Sequence, residues 1–215
     1  MGELIAVLSG KGGTGKTSVC AGLATALAES GASVLCIDCD VGLRNLDISL
    51  GISQLPALSF LDVCSGNYTL NQATAHPDFP HMRFLTAPMT CDAADIDRAA
   101  FTALLRSARE KFRYVLLDAP AGIDAGFNLA ACYADRMLLV PGPDPASVRD
   151  AARAGQLLEL MGKKNIRLIV NRIDRDMLST VRMTVDDVMD SAGLPLMGIV
   201  LEDPNVTLAA AFGKP

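Results

Sequence analysis

Short apolar runs alternate along the chain with segments in which apolar residues follow the spacing of one helix face. The runs predict strands at 3–8, 33–38, 82–86, 113–118, 136–140, 166–170 and 197–200. Several runs are apolar throughout, which is typical of strands covered on both faces. The helical spacing predicts helices at 16–29, 96–111, 145–161 and 184–192. This alternation predicts a single doubly wound, mostly parallel α/β sheet with helices on both faces.

Residues at the ends of these segments agree with helix boundaries. Gly31 follows the first helix, in a position where a left-handed turn often ends one. Asp144 is a suitable N-cap for the helix at 145–161, and Pro145 suits its first position. The sequence contains no evident linker, repeat or low-complexity tract, so we expect one domain over residues 1–215.

Unusual polar residues follow the ends of several predicted strands. They are the glycine-rich loop after residue 8, Asp38, Asp40, Asp118 and Asn171. In open α/β sheets, ligands bind beyond the carboxyl ends of the strands. We therefore expect these groups to converge on one edge of the sheet and to form the functional site there.

The glycine-rich loop, residues 10–17, reads Gly-Lys-Gly-Gly-Thr-Gly-Lys-Thr and matches the whole P-loop pattern between a strand and a helix. Glycines let successive backbone N–H groups point at phosphate oxygens, and the N-terminus of the following helix adds its dipole. We expect Lys16 to reach the β- and γ-phosphates and the Thr17 hydroxyl to bind Mg²⁺. Lys11 is a second lysine in a loop whose phosphate chemistry needs one.

Three aspartates complete the predicted site. Asp118 ends an apolar run of the Walker B form, and its carboxylate would hold magnesium directly or through water. Asp38 and Asp40 are two residues apart, so in an extended segment they face the same side. One of them can support the metal while the other orients the attacking water.

The composition narrows the classes of partner and compartment. A net charge of −5 and a pI near 5.0 argue against attraction of the whole surface to nucleic acid or anionic lipid and leave only a local basic patch open. The six cysteines are irregularly spaced, and the first apolar run is too short to be a signal peptide or a membrane span. We therefore expect reduced thiols and a cytoplasmic protein.

Two patterns that resemble metal sites have simpler interpretations. Cys36 and Cys39 have C-x-x-C spacing, but side chains three apart on a strand point to opposite faces. We expect them to be small buried residues. His76 and His81 lie in a proline-containing loop without ligand partners at useful spacing, so we expect both on the surface.

The position of Lys11 resembles the signature lysine of the deviant Walker A group of P-loop ATPases, the MinD/ParA/Mrp family. Within that family the sequence resembles the MinD type, which helps to position the bacterial division site. The resemblance runs in register from residue 1 to 215, and the segment Gly42-Leu43-Arg44-Asn45-Leu46-Asp47 is its most discriminating part. The segments that carry it are 11–17, 37–47, 118–124, 146–150 and 176–178.

The resemblance implies a Mg²⁺-dependent ATPase whose two subunits meet face to face when ATP is bound. Catalytic roles are implied for Lys11, Lys16, Asp40 and Asn45. Contacts to ATP or ADP are implied for Gly12, Gly13, Thr14, Gly15, Lys16, Thr17, Ser18, Asn171, Arg172, Glu202 and Asp203. Thr17, Asp38 and Asp118 are implied at the magnesium ion.

Individual roles follow from the same resemblance. Asp40 is similar to the residue that positions the hydrolytic water, and Asn171 to the asparagine that hydrogen-bonds adenine, with 201–203 as the other wall of the base pocket. Lys11 is similar to the lysine that reaches the phosphates in the partner subunit. Segments around Asn45 and at 118–124 resemble switch I and switch II.

Partners are also implied by the resemblance rather than by the residues alone. They are a MinC-like inhibitor of the division septum and a topological activator that is MinE or is linked to DivIVA. Asp150 and the helix from 145 resemble part of the surface that binds them. The family acts peripherally at the inner face of the cell membrane, and no nucleic-acid partner is expected.

Three departures from the family pattern stand out. Leu201 stands where proline is usual, and Asp124 where glutamate is common. The chain ends at Pro215, where the family continues through a further helix to an amphipathic membrane-binding segment. The stretch 205–212 has no lysine or arginine and predicts the start of a packed helix. We therefore expect either a truncated chain or a protein without its own anchor.

Alternatives of other types stay open. A ParA-type partition ATPase favours a basic DNA-binding surface, which the acidic composition disfavours. A FlhG-type flagellar-number ATPase carries an N-terminal segment ahead of its first strand. An Mrp-type iron–sulfur carrier needs paired cysteines in its C-terminal half, but no cysteine follows Cys132. A scaffold that binds ATP with negligible hydrolysis differs from an ATPase in steady-state phosphate release.

Overall fold

The computed structural model describes residues 1–174 and 184–214. Its core is an eight-stranded sheet with the strand order β3-β4-β2-β5-β1-β6-β7-β8. The strands are β1 (Glu3–Ser9), β2 (Val34–Asp38), β3 (Thr74–Ala75), β4 (Met82–Leu85), β5 (Tyr114–Ala121), β6 (Arg136–Leu139), β7 (Ile166–Ile173) and β8 (Leu196–Leu201). Every pairing is parallel except that of the short β3 with β4. The predicted fold class is confirmed.

Helices cover both faces of the sheet. They are α1 (Lys16–Glu29), α2 (Leu46–Ser49), α3 (Phe60–Cys64), α4 (Arg98–Lys111), α5 (Ala125–Tyr133), α6 (Pro145–Leu160), α7 (Val185–Ala192) and α8 (Pro204–Ala211). Alternate residues of β1 enter two apolar clusters, one shared with α1 and α2 and the other with α4 to α7. Both faces of the central strands are therefore buried, which explains their continuous apolar runs.

All predicted strands and long helices are present, and the boundaries differ by a few residues. β5 and β7 each continue three residues beyond the predicted end, so Asp118 and Asn171 lie inside strands rather than after them. Backbone pairing continues past the polar residue, as the partnership of Ser9 with Ala121 shows. The short helices α2 and α3, the helix α5 and the strand β3 were not predicted.

Two further expectations have definite outcomes. Cys36 and Cys39 are buried in opposite apolar clusters, as predicted. The surface prediction for His76 is wrong, because its side chain is buried between the carbonyl of Leu50, 2.8 Å from Nε2, and the N–H of Asp78. Its ring also packs on Phe79. Both ring nitrogens have partners, so a loop that reads as exposed contains a buried histidine.

The C-terminal part of the chain contributes one segment to the family resemblance and one predicted helix. The segment 176–178, which contributes to that resemblance, lies outside the described residues. In the part of the chain that is described, none of the helices combines the length and apolar content needed to cross a membrane. The helix predicted at 205–212 is present as α8, but the prediction that it is packed is wrong for these residues, because none of them is buried.

A close approach between α5 and β5 requires a glycine. A Cβ atom on Gly126 would lie 2.4 Å from Cγ and 2.8 Å from Cδ of Pro120. The proline ring is part of β5 and cannot turn aside as a flexible side chain would. Gly22, inside α1, is the opposite case, because a Cβ placed there would have no atom of the described chain within 4 Å apart from its chain neighbours and the nearby backbone of its own helix.

We expect Gly126→Ala to lower the free energy of unfolding by about 1–3 kcal/mol through overpacking. Gly22→Ala should raise it by up to about 1 kcal/mol, because alanine is the better helix former. Urea denaturation of the nucleotide-free protein measures both values. The two changes affect the unfolded chain alike, so an equal gain in stability for both variants would contradict the packing described here.

Candidate functional site

The glycine-rich loop connects the end of β1 to the start of α1. Gly13 and Gly15 have φ values of 79° and 82°, a left-handed conformation that glycine adopts at little cost. A Cβ on Gly15 would also lie 2.2 Å from Nδ2 of Asn171. Gly15 is the N-cap of α1 and has no side chain to bond the first turn. The first N–H groups of α1 are thus available to an anion.

A buried ion pair joins this loop to the centre of the sheet. Nζ of Lys16 lies 2.7 Å from Oδ1 of Asp118, and the two side chains are 7% and 1% exposed. The same ammonium group lies 3.2 Å from the hydroxyl of Thr17. β1 and β5 are neighbouring strands, which places the end of one beside Asp118 of the other. The predicted P-loop lysine and Walker B aspartate therefore meet.

Asp38 lies beside Asp118, because the two residues are partners in the pairing of β2 with β5. Its carboxylate accepts hydrogen bonds from the backbone N–H groups of Asp40 (2.8 Å) and Leu46 (3.2 Å). Burial and the charge of Asp118 raise the pKa of Asp38 to about 7. Burial also raises the pKa of Asp118 and of Asp40, and the charge of Lys16 opposes both shifts. The cluster thus contains three carboxyl groups and one ammonium group, and burial favours the neutral form of each carboxyl group.

The residues present fit a magnesium ion that is bound together with a phosphate. Two adjacent buried carboxylates, Asp38 and Asp118, and the Thr17 hydroxyl are hard oxygen donors of the kind Mg²⁺ prefers. Among residues 1–174 and 184–214, no group of three or more His, Cys, Asp or Glu side chains is arranged as a metal site. Mg²⁺ usually keeps several waters and phosphate oxygens around it and takes one or two carboxylates from the protein.

A second feature of the loop suits a phosphate. The hydroxyl of Thr14 is buried and has no hydrogen-bond partner within the described chain. A buried hydroxyl without a hydrogen-bond partner destabilises the folded protein. Donating a hydrogen bond to a bound anion would remove this cost.

A cavity of about 540 Å³ lies between α1 and the ends of β7 and β8. Its polar rim contains Ser18, Asn171, Arg172, Glu202 and Asp203, all of which were predicted to contact the nucleotide. Its apolar wall is formed by Val19, Leu23, Ile169, Val200, Leu201 and Val206. An apolar slot with a polar rim is a suitable size and character for a nucleobase. Leu201 contributes an aliphatic side chain to the wall where the family usually has proline.

Lys11 lies apart from the acidic cluster of Asp38, Asp40 and Asp118. Its Nζ is 3.6 Å from Oδ1 of Asp144, and the two side chains are 46% and 53% exposed. Asp144 is the N-cap of α6 and accepts a hydrogen bond from the N–H of Ser147. The loop thus contains one lysine that faces its own acidic cluster, Lys16, and one that faces solvent. The sequence indicated the capping role of Asp144, but nothing in it indicated the pairing with Lys11.

The segments predicted as switches border the site. Asn45 is exposed and immediately precedes α2, and its neighbour Leu46 donates to Asp38. On the other side, Gly122 donates to the carbonyl of Ser9 at 3.1 Å, which holds the end of β5 beside the glycine-rich loop. Asp124, the residue that replaces the family's glutamate, is the N-cap of α5.

Comparison with known proteins agrees with this geometry. Residues 5–215 match the family described as the CobQ/CobB/MinD/ParA nucleotide binding domain. The septum site-determining protein MinD of Synechocystis sp. is 37% identical over an alignment that covers 100% of this chain and 82% of that protein.

The solved structures that share the fold include two that contain MinD. The MinC:MinD cell division protein complex of Aquifex aeolicus matches with a TM-score of 0.90 and 36% identity, over 99% of this chain and 87% of that one. The septum site-determining protein MinD complexed with Mg-ADP from Pyrococcus horikoshii matches with a TM-score of 0.85 and 29% identity, over 100% and 87%. The chain therefore belongs to the CobQ/CobB/MinD/ParA nucleotide-binding family and, within it, to the MinD type.

Proposed function

We propose that this protein is a Mg²⁺-dependent ATPase that dimerises when ATP is bound and acts as a nucleotide switch in placing the cell-division septum. The observation that carries the proposal is the separation of the two loop lysines. Lys16 is buried against Asp118, whereas Lys11 is half exposed and forms an ion pair with the exposed Asp144. One lysine suits the subunit's own nucleotide, and the other is accessible to a second subunit.

In the proposed site, the triphosphate lies along the glycine-rich loop and the base enters the 540 Å³ cavity. Backbone N–H groups from Gly12 to Lys16 bind the phosphates, with further donors from Thr14, Thr17 and Ser18. Lys16 would turn from Asp118 toward the β- and γ-phosphates. Thr17, Asp38 and Asp118 would hold a magnesium ion, which would supply positive charge beside the phosphate oxygens.

Hydrolysis proceeds by attack of water on the γ-phosphorus, which releases ADP and inorganic phosphate. Asp40 orients that water; the residue is half buried, and its carboxyl group lies close enough to Lys16 for that charge to oppose the rise in its pKa that burial causes. Asn45 comes from the loop that Asp38 holds through the N–H of Leu46. We assign both residues to the catalytic step, together with Lys16 and the partner's copy of Lys11.

A lysine supplied by the second subunit explains the surplus cation in the loop. Charge grows on the transferred phosphoryl group in the transition state, and one more cation there lowers the barrier. If each site is complete only in the dimer, ATP is hydrolysed only after two subunits have met. Because the dimer depends on bound ATP, hydrolysis also ends it. These are the properties of a switch.

The partners proposed for the switch come from its relatives. The Aquifex aeolicus structure contains MinC with MinD, and we infer that this protein binds a MinC-like septum inhibitor in its ATP-bound state. We infer an activator of the MinE or DivIVA-linked kind from the family resemblance. The helix α6, with Asp150 and the Lys11 partner Asp144, is the surface we assign to these contacts.

Steady-state phosphate release with Mg²⁺ and ATP tests the ATPase. We expect Asp40→Asn to lower the rate by about 10²–10³-fold, because the attacking water loses its orienting carboxylate. ATP binding and ATP-dependent dimerisation should persist in this variant. A wild-type rate no higher than that of Asp40→Asn would favour a scaffold that binds ATP without hydrolysing it.

Lys11→Ala tests the contribution of a second subunit. We expect the variant to bind ATP with nearly wild-type affinity and to stay monomeric with ATP. The part of the hydrolysis rate that depends on the dimer should fall by about 10²–10³-fold. Light scattering after size-exclusion chromatography, with and without ATP, measures the oligomeric state. Lys16→Ala is the control, since it should lose nucleotide binding itself. An intact ATP-dependent dimer of Lys11→Ala would refute the role proposed for this lysine.

Asp144→Asn tests whether the pair with Lys11 competes with dimerisation. Asparagine keeps the N-cap of α6 but removes the charge that attracts Lys11 within the same subunit. The pair is exposed and hence weak, so we expect the ATP concentration at half-maximal dimer to fall by about two- to fivefold. Titration of ATP at fixed protein concentration measures it, and a midpoint that rises would show that Asp144 serves the dimer instead.

A further inference from the structure

Two consecutive residues near the end of β7 bind two consecutive carbonyl groups of the glycine-rich loop. Nδ2 of Asn171 lies 2.8 Å from the carbonyl oxygen of Thr14, and Nη1 of Arg172 lies 3.3 Å from that of Gly13. Asn171 is buried, with 5% of its surface exposed. β7 lies on the opposite side of β1 from β5 and β2, which carry Asp118 and Asp38, so both bonds join the loop to the sheet on the side away from the acidic cluster.

The backbone of β7 is shaped to aim these side chains. Between Val170 and Ile173, β7 advances three residues while β8 advances two, from Ile199 to Leu201. This extra residue is a bulge, a feature that redirects side chains. Within it, Arg172 has a φ of 62°, a left-handed conformation that costs free energy in a residue with a side chain.

Glu202 fixes the direction of the Arg172 side chain. Its two carboxylate oxygens accept from Nε at 2.7 Å and from Nη2 at 3.3 Å, which leaves Nη1 for the loop. The backbone N–H of Glu202 donates to the carbonyl of Ile173 at 3.0 Å, so the acid is itself anchored to β7. The guanidinium group is planar and is held through two of its nitrogen atoms, so the third nitrogen, Nη1, points in one fixed direction.

The consequence for the loop follows from the planarity of the peptide bond. In a trans peptide, the C=O of one residue and the N–H of the next point in opposite directions. Holding the carbonyl of Gly13 toward Arg172 turns the N–H of Thr14 the other way. Holding the carbonyl of Thr14 toward Asn171 does the same for the N–H of Gly15.

Arg172 and Glu202 also stand between two cavities. Both line the 540 Å³ cavity proposed for the base, and both line a second cavity of about 460 Å³ beside Lys11, Gly12 and Gly13. Any movement of the pair therefore changes the rim of the base cavity and the support of the loop together.

We propose that Arg172, anchored by Glu202 and assisted by Asn171, is a positioning residue that holds the Thr14 and Gly15 N–H groups toward the polyphosphate chain. The inference rests on the proposed nucleotide site and assigns Arg172 to the phosphate half of it rather than to the base. It links the two halves, because Glu202 at the base rim sets the position of Arg172 and hence the alignment of the loop.

Inorganic tripolyphosphate separates this role from a base contact, because it lacks both base and ribose. Calorimetric titration should give affinities for tripolyphosphate and for ATP that fall together, by about three- to tenfold, in Arg172→Lys and in Glu202→Gln. Lysine keeps the charge without the planar fork, and glutamine keeps the length without the charge. Val206→Ala, which shortens a side chain in the wall of the base cavity, is the control and should weaken ATP binding alone.

The outcomes are distinct. Loss of ATP affinity with unchanged tripolyphosphate affinity in both Arg172→Lys and Glu202→Gln would overturn the positioning role and assign the pair to the base. Wild-type protein that binds neither ligand would overturn the proposed nucleotide site instead. Equal melting temperatures of the ligand-free variants and wild type exclude a general loss of structure. In ADP-bound protein, amide NMR signals of Thr14 and Gly15 should shift in Arg172→Lys, and unshifted signals would contradict the positioning role.

Discussion

An ammonium and a carboxylate, those of Lys16 and Asp118, lie 2.7 Å apart almost without solvent. Removing either partner would leave an unpaired charge inside the protein, which is far more costly than loss of a surface pair. The pair requires β1 and β5 to be neighbours and the loop to turn Lys16 inward at the start of α1. The order of the strands, the conformation of the loop glycines and the start of α1 are therefore all needed for this one contact. The other groups of the candidate nucleotide site lie around it.

The acidic groups around this pair connect the charge of the site to the position of a loop. Asp38 is buried beside Asp118, yet its two oxygens also hold the backbone N–H groups of Asp40 and Leu46. A cation or phosphate that changes the balance of charge here acts on the same carboxylate that anchors the segment 40–46. The loop that precedes α2 thus has a direct physical reason to respond to the occupant of the site.

The sequence was sufficient to predict the parts of the protein that repeat a regular pattern. Buried parallel strands, capped helices and the phosphate loop depend on nearby residues, so their positions could be predicted to within a few residues. The helix α5 was missed because it begins directly after β5 and is rich in small residues without a clear polar face. The burial of His76, the left-handed Arg172 and the pairing of Lys11 with Asp144 depend on contacts between distant segments. Local patterns contain no information about such contacts.

The exposed position of Lys11 has a consequence for mixtures of normal and altered subunits. On the proposed scheme, a subunit without this lysine keeps its own intact phosphate loop and acidic cluster, but it withholds the cation from its neighbour. The defect then appears in the site of the unaltered chain. Loss of Lys11 from one subunit therefore affects its partner and the dimer, whereas loss of Lys16, which is 7% exposed, affects the site of its own chain.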